Sequence, residues 1–95
     1  MSEVQAHPST EHGAKYVQQL CKHWSHRFPV EMVGNRSVIK FEGATATLEP
    51  DEKGIRVTLS GEDRDQLERM KDVVAQHIDR FAFREAPLKY DWAWM

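Results

Sequence analysis

The sequence is short of cysteine: Cys21 stands alone, so no internal disulfide can form and no second thiolate is available for a zinc site. Such usage suits a reducing compartment, and a cytoplasmic location is the expectation. Long apolar runs are missing as well. The longest strictly hydrophobic stretch is Trp92–Met95, four residues against the roughly 20 that cross a bilayer, so no membrane span and no membrane partner are expected. The opening residues MSEVQAHPST have neither an early basic cluster nor an apolar stretch, which argues against a secretory or transit segment there. Basic charge is not in excess: 13 Lys and Arg stand against 15 Asp and Glu, a net charge of -2. Without a global basic field, binding driven by counterion release is weak, and nucleic acid is not the expected partner. Also absent are G-x-S-x-G, the Walker loop, H-E-x-x-H and G-x-G-x-x-G, so no catalytic residues and no cofactor are assigned.

At 95 residues, 40% of them hydrophobic and 29% charged, the chain has room for one core but not for a barrel enzyme or a dinucleotide-binding fold. Residues 1–8 are polar and end in Pro8, and read as a loose lead-in to a single domain over 9–95. Ser9 or Thr10 can cap a helix whose apolar positions Gly13, Val17, Leu20, Cys21, Trp24 and Phe28 follow helical spacing until Pro29 stops it.

Strand patterns follow. Val30–Val33, a Gly34-Asn35 turn and Arg36–Glu42 read as a hairpin. Ala44–Glu49 alternates, a polar turn follows at 50–54, and Ile55, Val57 and Leu59 alternate with Arg56, Thr58 and Ser60. Ser60–Asp63 has capping-box spacing, and Leu67, Met70, Val74, His77, Ile78 and Phe81 then make one helical stripe that ends near 82–85, ahead of Pro87. Leu88–Trp94 alternates large apolar residues with polar or small ones, as a last strand would.

The predicted fold is α+β in two layers, in the order α-β-β-β-β-α-β, with an antiparallel sheet of four to five strands and two helices on one of its faces. Ile39, Phe41, Leu48, Ile55, Val57, Leu59, Tyr90 and Trp92 should meet Val17, Leu20, Trp24, Leu67, Met70, Val74, Ile78 and Phe81. Trp92 is expected to be buried and Trp94 less so.

Histidine is the compositional anomaly, with five residues, at 7, 12, 23, 26 and 77. At about 100° per residue, His12, Tyr16, Gln19, His23 and His26 fall on one side of the first helix, away from Val17, Leu20, Cys21 and Trp24. The ordinary reading of such a stripe is a solvated face. Residues 12–41 hold five basic side chains against one acidic, and residues 42–72 five against nine, so that face lies in the basic part of the chain. Lys22, His23, His26 and Arg27 are therefore the candidate surface for an acidic protein or an anionic small molecule. His12, His23 and His26, together with His77, are the candidates for the alternative, a metal-dependent protein or enzyme, although i and i+3, the spacing of His23 and His26, is a poorer chelating arrangement than i and i+4. Cys21 and His23 point to opposite sides of the helix, which argues against a thiol–imidazole dyad. His77, at the edge of its stripe, reads first as a boundary histidine whose hydrogen-bond partner the sequence does not reveal.

The strings LCKHW at 20–24 and RFAFRE at 80–85, within the wider segments 16–28 and 73–85, resemble the bacterial family catalogued as domain of unknown function 2218, and the likeness extends over about 14–92. The resemblance implies a small bacterial protein of a kind sometimes joined to flavin-dependent siderophore-interacting reductases. It supplies no catalytic residues. The expected function is a non-catalytic accessory or binding module in bacterial metabolism, to which the resemblance adds a link to iron-siderophore metabolism.

Overall fold

The computed structural model describes residues 1–95. Six strands and two helices follow in order: β1 (Ser2–Ala6), α1 (Gly13–Trp24), β2 (Val30–Val33), β3 (Arg36–Phe41), β4 (Ala44–Pro50), β5 (Ile55–Gly61), α2 (Arg64–Phe81) and β6 (Ala93–Trp94). All pairings are antiparallel, and the sheet runs β2-β3-β4-β5-β1-β6.

The alternation in the sequence sets which face each residue takes. In register, Ile39 opposes Ala46, Ala46 opposes Leu59, and Leu59 opposes Val4, so one row of apolar side chains crosses four strands on the same face. All four are essentially without solvent contact. Leu20 of α1 and Leu67, Val74 and Ile78 of α2 close over them in a single cluster. Each such buried aliphatic side chain stabilises the fold by about 1.5–3 kcal/mol before entropy is set against it. The opposite face of the sheet carries Gln5, Thr45, Thr47, Arg56 and Thr58, polar residues suited to water.

Turn chemistry fixes the meander. The β2–β3 loop is Gly34-Asn35, with φ 65° at Gly34 and no positive φ at Asn35, the pattern of a type II′ hairpin whose twist matches its strands. Gly43, with φ 80°, turns β3 into β4. Gln66 donates from Nε2 to the Glu42 carbonyl at 2.7 Å and so ties this turn to α2.

Residues 1–8 are not a loose lead-in. Val4 and Ala6 point into the core while β1 pairs with β5 on one side and β6 on the other, which places the N-terminal strand inside the sheet. Beyond it, Ile55 N–H donates to the Pro8 carbonyl and Thr10 N–H to the Lys53 carbonyl, both at 3.1 Å. The sheet therefore has six strands rather than four or five.

Helix boundaries shift for local reasons. Neither Ser9 nor Thr10 caps α1, because both are engaged beside the β4–β5 turn; the helix starts after His12, whose backbone N–H donates to Thr10 Oγ1 at 3.1 Å. Ser60 still belongs to β5, so the capping box does not form. Asp63 caps α2 instead, its carboxylate accepting from the N–H groups of Asp65 and Gln66.

The expected long last strand is only Ala93–Trp94. Asp79 of α2 accepts from Leu88 N–H at 3.1 Å and from the Tyr90 hydroxyl at 2.8 Å, which holds 88–90 against the helix. Asp91, with φ 45°, then interrupts the extended chain before β6. Burial and the Asp79 carboxylate both push the Tyr90 hydroxyl pKa up, so it remains a proton donor. Trp92 is half-buried and stacked on Tyr90, not buried as expected, and Trp94 is half-buried as well, with the Arg64 guanidinium 4.0 Å from its ring centre. Phe41, Met70, Phe81 and Tyr90 of the expected core are also half-buried at its margin.

Tyr16 leaves the polar stripe. It is buried, and its hydroxyl donates to Glu85 Oε2 at 2.5 Å, beside a second bond from Thr10 Oγ1 at 2.8 Å. This clasp joins the start of α1 to the segment after α2. The hydrogen bond from Tyr16, then that from Thr10, holds the Glu85 carboxyl below its ordinary value, while the same carboxylate raises the Tyr16 hydroxyl. Because the folded-state value is the lower one, the stabilisation is present at neutral pH and fades as pH falls below about 4.5, Glu85's ordinary value. Glu85→Gln is therefore expected to lower the melting temperature at pH 7, with the gap from the wild type narrowing towards pH 3 in parallel melts. A gap that is constant across this range would remove the carboxylate from the clasp's energetics.

Candidate functional site

Where α1 ends, the chain has to reverse quickly into β2, because Pro29 cannot continue a helix. The N–H groups of Arg27 and Phe28 both return to the Trp24 carbonyl, at 3.0 and 2.8 Å. This tight turn brings Arg27 and Phe28 to the end of the helix pair, over the β3–β4 turn. There Trp24 meets Phe41 edge to face at 5.3 Å between ring centres, and Phe41 meets Phe28 at 4.7 Å.

The result is a groove of about 420 Å³ lined by His23, Trp24, Arg27, Phe28, Phe41, Glu42, Gln66, Met70, Val73 and His77. Aromatic and thioether surface forms one part of the lining, and two imidazoles, a guanidinium, a carboxylate and an amide form the rest. That mixture, mainly apolar with a few converging polar groups, is the usual make-up of a small-molecule site.

His77 is held in place by its own helix. Its Nδ1 lies 2.7 Å from the Val73 carbonyl one helical turn earlier, and a carbonyl only accepts, so Nδ1 carries the proton and Nε2 is the remaining nitrogen. The ring packs 5.2 Å from that of Trp24 and 5.6 Å from that of His23. His23 also approaches Phe81, at 6.1 Å.

Of the four candidate surface residues, His23 and Arg27 line the groove; Lys22 and His26 are exposed outside its lining. His26 lies beyond the end of α1, in the turn, and so does not share a helical face with His23. The three-histidine metal arrangement is not formed. His12 and His23 are eleven residues apart on the helix, about 16 Å along its axis, and one ion cannot reach both. No group of three or more His, Cys, Asp or Glu side chains is placed to hold a metal. His12 instead borders a separate hollow of about 260 Å³ with Lys15, Tyr16, Gln19, Phe81, Phe83 and Arg84. His7 pairs with Asp51 at 2.9 Å. Cys21 is half-buried against the core.

The apolar spacing in the sequence places Trp24 and Phe41 in the core alone and does not reveal the aromatic lining. Pro29 was the available signal: a proline just after the helix implies a tight turn that draws Arg27 and Phe28 back toward Trp24. The open sheet face carries another hollow, of about 450 Å³, lined among others by Arg36, Glu49, Asp51 and Arg56 and by no hydrophobic side chain. Opposite charges there offset one another.

The fold and the groove define a two-layer α+β protein in which two helices lie on an antiparallel sheet and leave a cleft between the end of α1 and the flank of α2. The chain belongs to the family described as uncharacterized protein conserved in bacteria, DUF2218, which matches residues 5–93. Its structure is similar to the NMR structure of PA4090 from Pseudomonas aeruginosa, with 34% sequence identity, a TM-score of 0.77, and coverage of 100% of this chain and 96% of that one. No curated protein matches it. No helix is long and apolar enough to cross a membrane.

Proposed function

We propose that the protein is a non-catalytic binding or accessory module of the bacterial cytoplasm that holds a small aromatic anion in the groove between α1, α2 and the β3–β4 turn. One observation carries this reading: Arg27 lines the same groove as the aromatic pair Phe28 and Phe41, together with His23 and His77. A planar ring would replace water on the aromatic surface, and its acidic group would pair with the guanidinium, whose fork matches a carboxylate. Lys22 and His26 sit outside the groove, and of the two only Lys22 acts on such a ligand, as a neighbouring positive charge. A link to iron-siderophore metabolism, implied by resemblance, makes catecholates the first ligands to try, with benzoate as the simplest aromatic acid.

The test is a titration of the protein with each compound, followed by tryptophan fluorescence, since Trp24 borders the groove. Arg27→Ala together with His23→Ala is expected to weaken binding at least tenfold, about 1.4 kcal/mol, while leaving the melting temperature nearly unchanged, because both side chains are exposed. His26→Ala should leave affinity as it was. Added salt should weaken binding, because exposed charges are screened within about 8 Å at physiological ionic strength. Equal affinity in the wild type and the double variant would return the α1 surface to an ordinary solvated face.

A further inference from the structure

We propose that His23 and His77 together form a two-histidine site for a divalent first-row transition-metal ion of the zinc, nickel or copper type, with its remaining coordination positions open to the groove. The inference does not depend on the aromatic-anion reading.

Three observations bear on it. The two side chains come from different helices, yet their ring centres are 5.6 Å apart. A metal held about 2.1 Å from each ligating nitrogen lies about 3.2 Å from each ring centre, so one ion can join two imidazoles whose centres are up to about 6.4 Å apart. The observed spacing is inside that reach, and His23 is exposed, with free rotamers to close the remaining angle.

The second observation is the bond of His77 Nδ1 to the Val73 carbonyl at 2.7 Å. It leaves the lone pair of the neutral ring on Nε2. A backbone carbonyl on the far nitrogen is the usual partner of a metal-bound imidazole, which it orients and makes more basic.

The third is the donor set. Two imidazole nitrogens, without a converging carboxylate or thiolate, favour borderline ions over magnesium or calcium, which prefer oxygen ligands. The charged groups sharing the groove are Arg27, from the turn after α1, and Glu42, from the β3–β4 turn. Since the chain supplies two ligands, water or an oxygen-bearing small molecule fills the other positions.

The test is a titration of untagged, ligand-free, ¹⁵N-labelled protein with zinc chloride, and separately with magnesium chloride, followed by the histidine side-chain resonances. Zinc is expected to shift the signals of His23 and His77 saturably, and magnesium to leave them in place. His23→Gln and His77→Gln should each weaken zinc binding at least about tenfold, as loss of one of two ligands requires, whereas His12→Gln and His26→Gln should not. Should His77→Gln disturb the packing on Trp24, the exposed His23→Gln variant, with its melting temperature checked, decides alone. Zinc affinity unchanged in His23→Gln, or an equal response to magnesium, would overturn the site. Arg27→Ala is expected to bind zinc as the wild type does, which keeps a failure of this site distinct from a failure of the aromatic-anion reading.

Discussion

Removing residues 1–6 is expected to abolish the native fold. The segment is short and half polar, but it occupies the place between β5 and β6, and its loss would leave the whole inner edge of β5, from Val57 to Gly61, without a partner. Val4 has no solvent contact and sits directly opposite Leu59, so its removal also opens the middle of the core over α2. A domain of this size is held by only about 5–15 kcal/mol, less than the loss of an inner strand with its ladder and two inward side chains would remove. β6 would have nothing to pair with, and Trp94 would lose its seat between the sheet and Arg64. The truncated chain should show a collapsed, poorly dispersed amide spectrum and no cooperative melt. A truncated protein that kept the wild-type spectrum for α2 and the meander would show that β1 is an addition to the fold and not a part of its core.

That strand is also where the sequence was hardest to interpret. Val4 and Ala6 are two apolar positions, too few to show a period, and their partners Leu59 and Val57 lie more than fifty residues away. Its place in the sheet follows from a non-local pairing that no local pattern announces. By contrast, α2 has five turns with one apolar stripe, and the meander carries strict alternation with glycine at its two tight turns, so both were legible. The end of the chain misled for the opposite reason: Leu88–Trp94 alternates like a strand, but the Asp79 side chain captures Leu88 and Tyr90 before the sheet can. Similarly, Tyr16 fell on the polar side of a helical wheel, yet Glu85, sixty-nine residues further on, gives its hydroxyl a partner and lets the ring be buried.

At the groove the division is the same. Basic and imidazole groups at the end of α1 could be seen in the sequence, and two of the four, His23 and Arg27, line the cleft. That His23 faces His77 depends on how α1 and α2 lie against each other, and that His77 is fixed by Val73 depends on its rotamer. Neither is written in a linear pattern. The three-histidine stripe fails for two reasons: the helix stops at Trp24, two residues short of His26, and His12 lies about three turns from His23.

Trp24→Ala should be the most costly single substitution that leaves a folded chain. Its ring is 3% exposed and stands at the meeting point of α1, β3 and α2, against Phe41 on one side and His77 on another. Truncating a buried aromatic to alanine costs about 3–5 kcal/mol, the transfer term plus the cavity left behind. For a domain of this length each kcal/mol moves the midpoint by about 4–8 °C, so a fall of well over 10 °C is expected. Trp92→Ala is the internal control. That ring is half-buried and its defined partner is Tyr90, 5.9 Å away and nearly parallel, a contact worth about 0.5–1.5 kcal/mol beyond the area it covers. Loss of Trp24 should also remove the groove's aromatic wall and release the His77 ring, so the variant that remains folded at low temperature should have lost both aromatic-anion and zinc binding. The Trp92 variant should keep both. Chemical melts of the two variants, with ligand titrations at a temperature where each is native, check the pair together. If Trp92→Ala proved as costly as Trp24→Ala, the segment after α2 would be part of the core and not a strap across it.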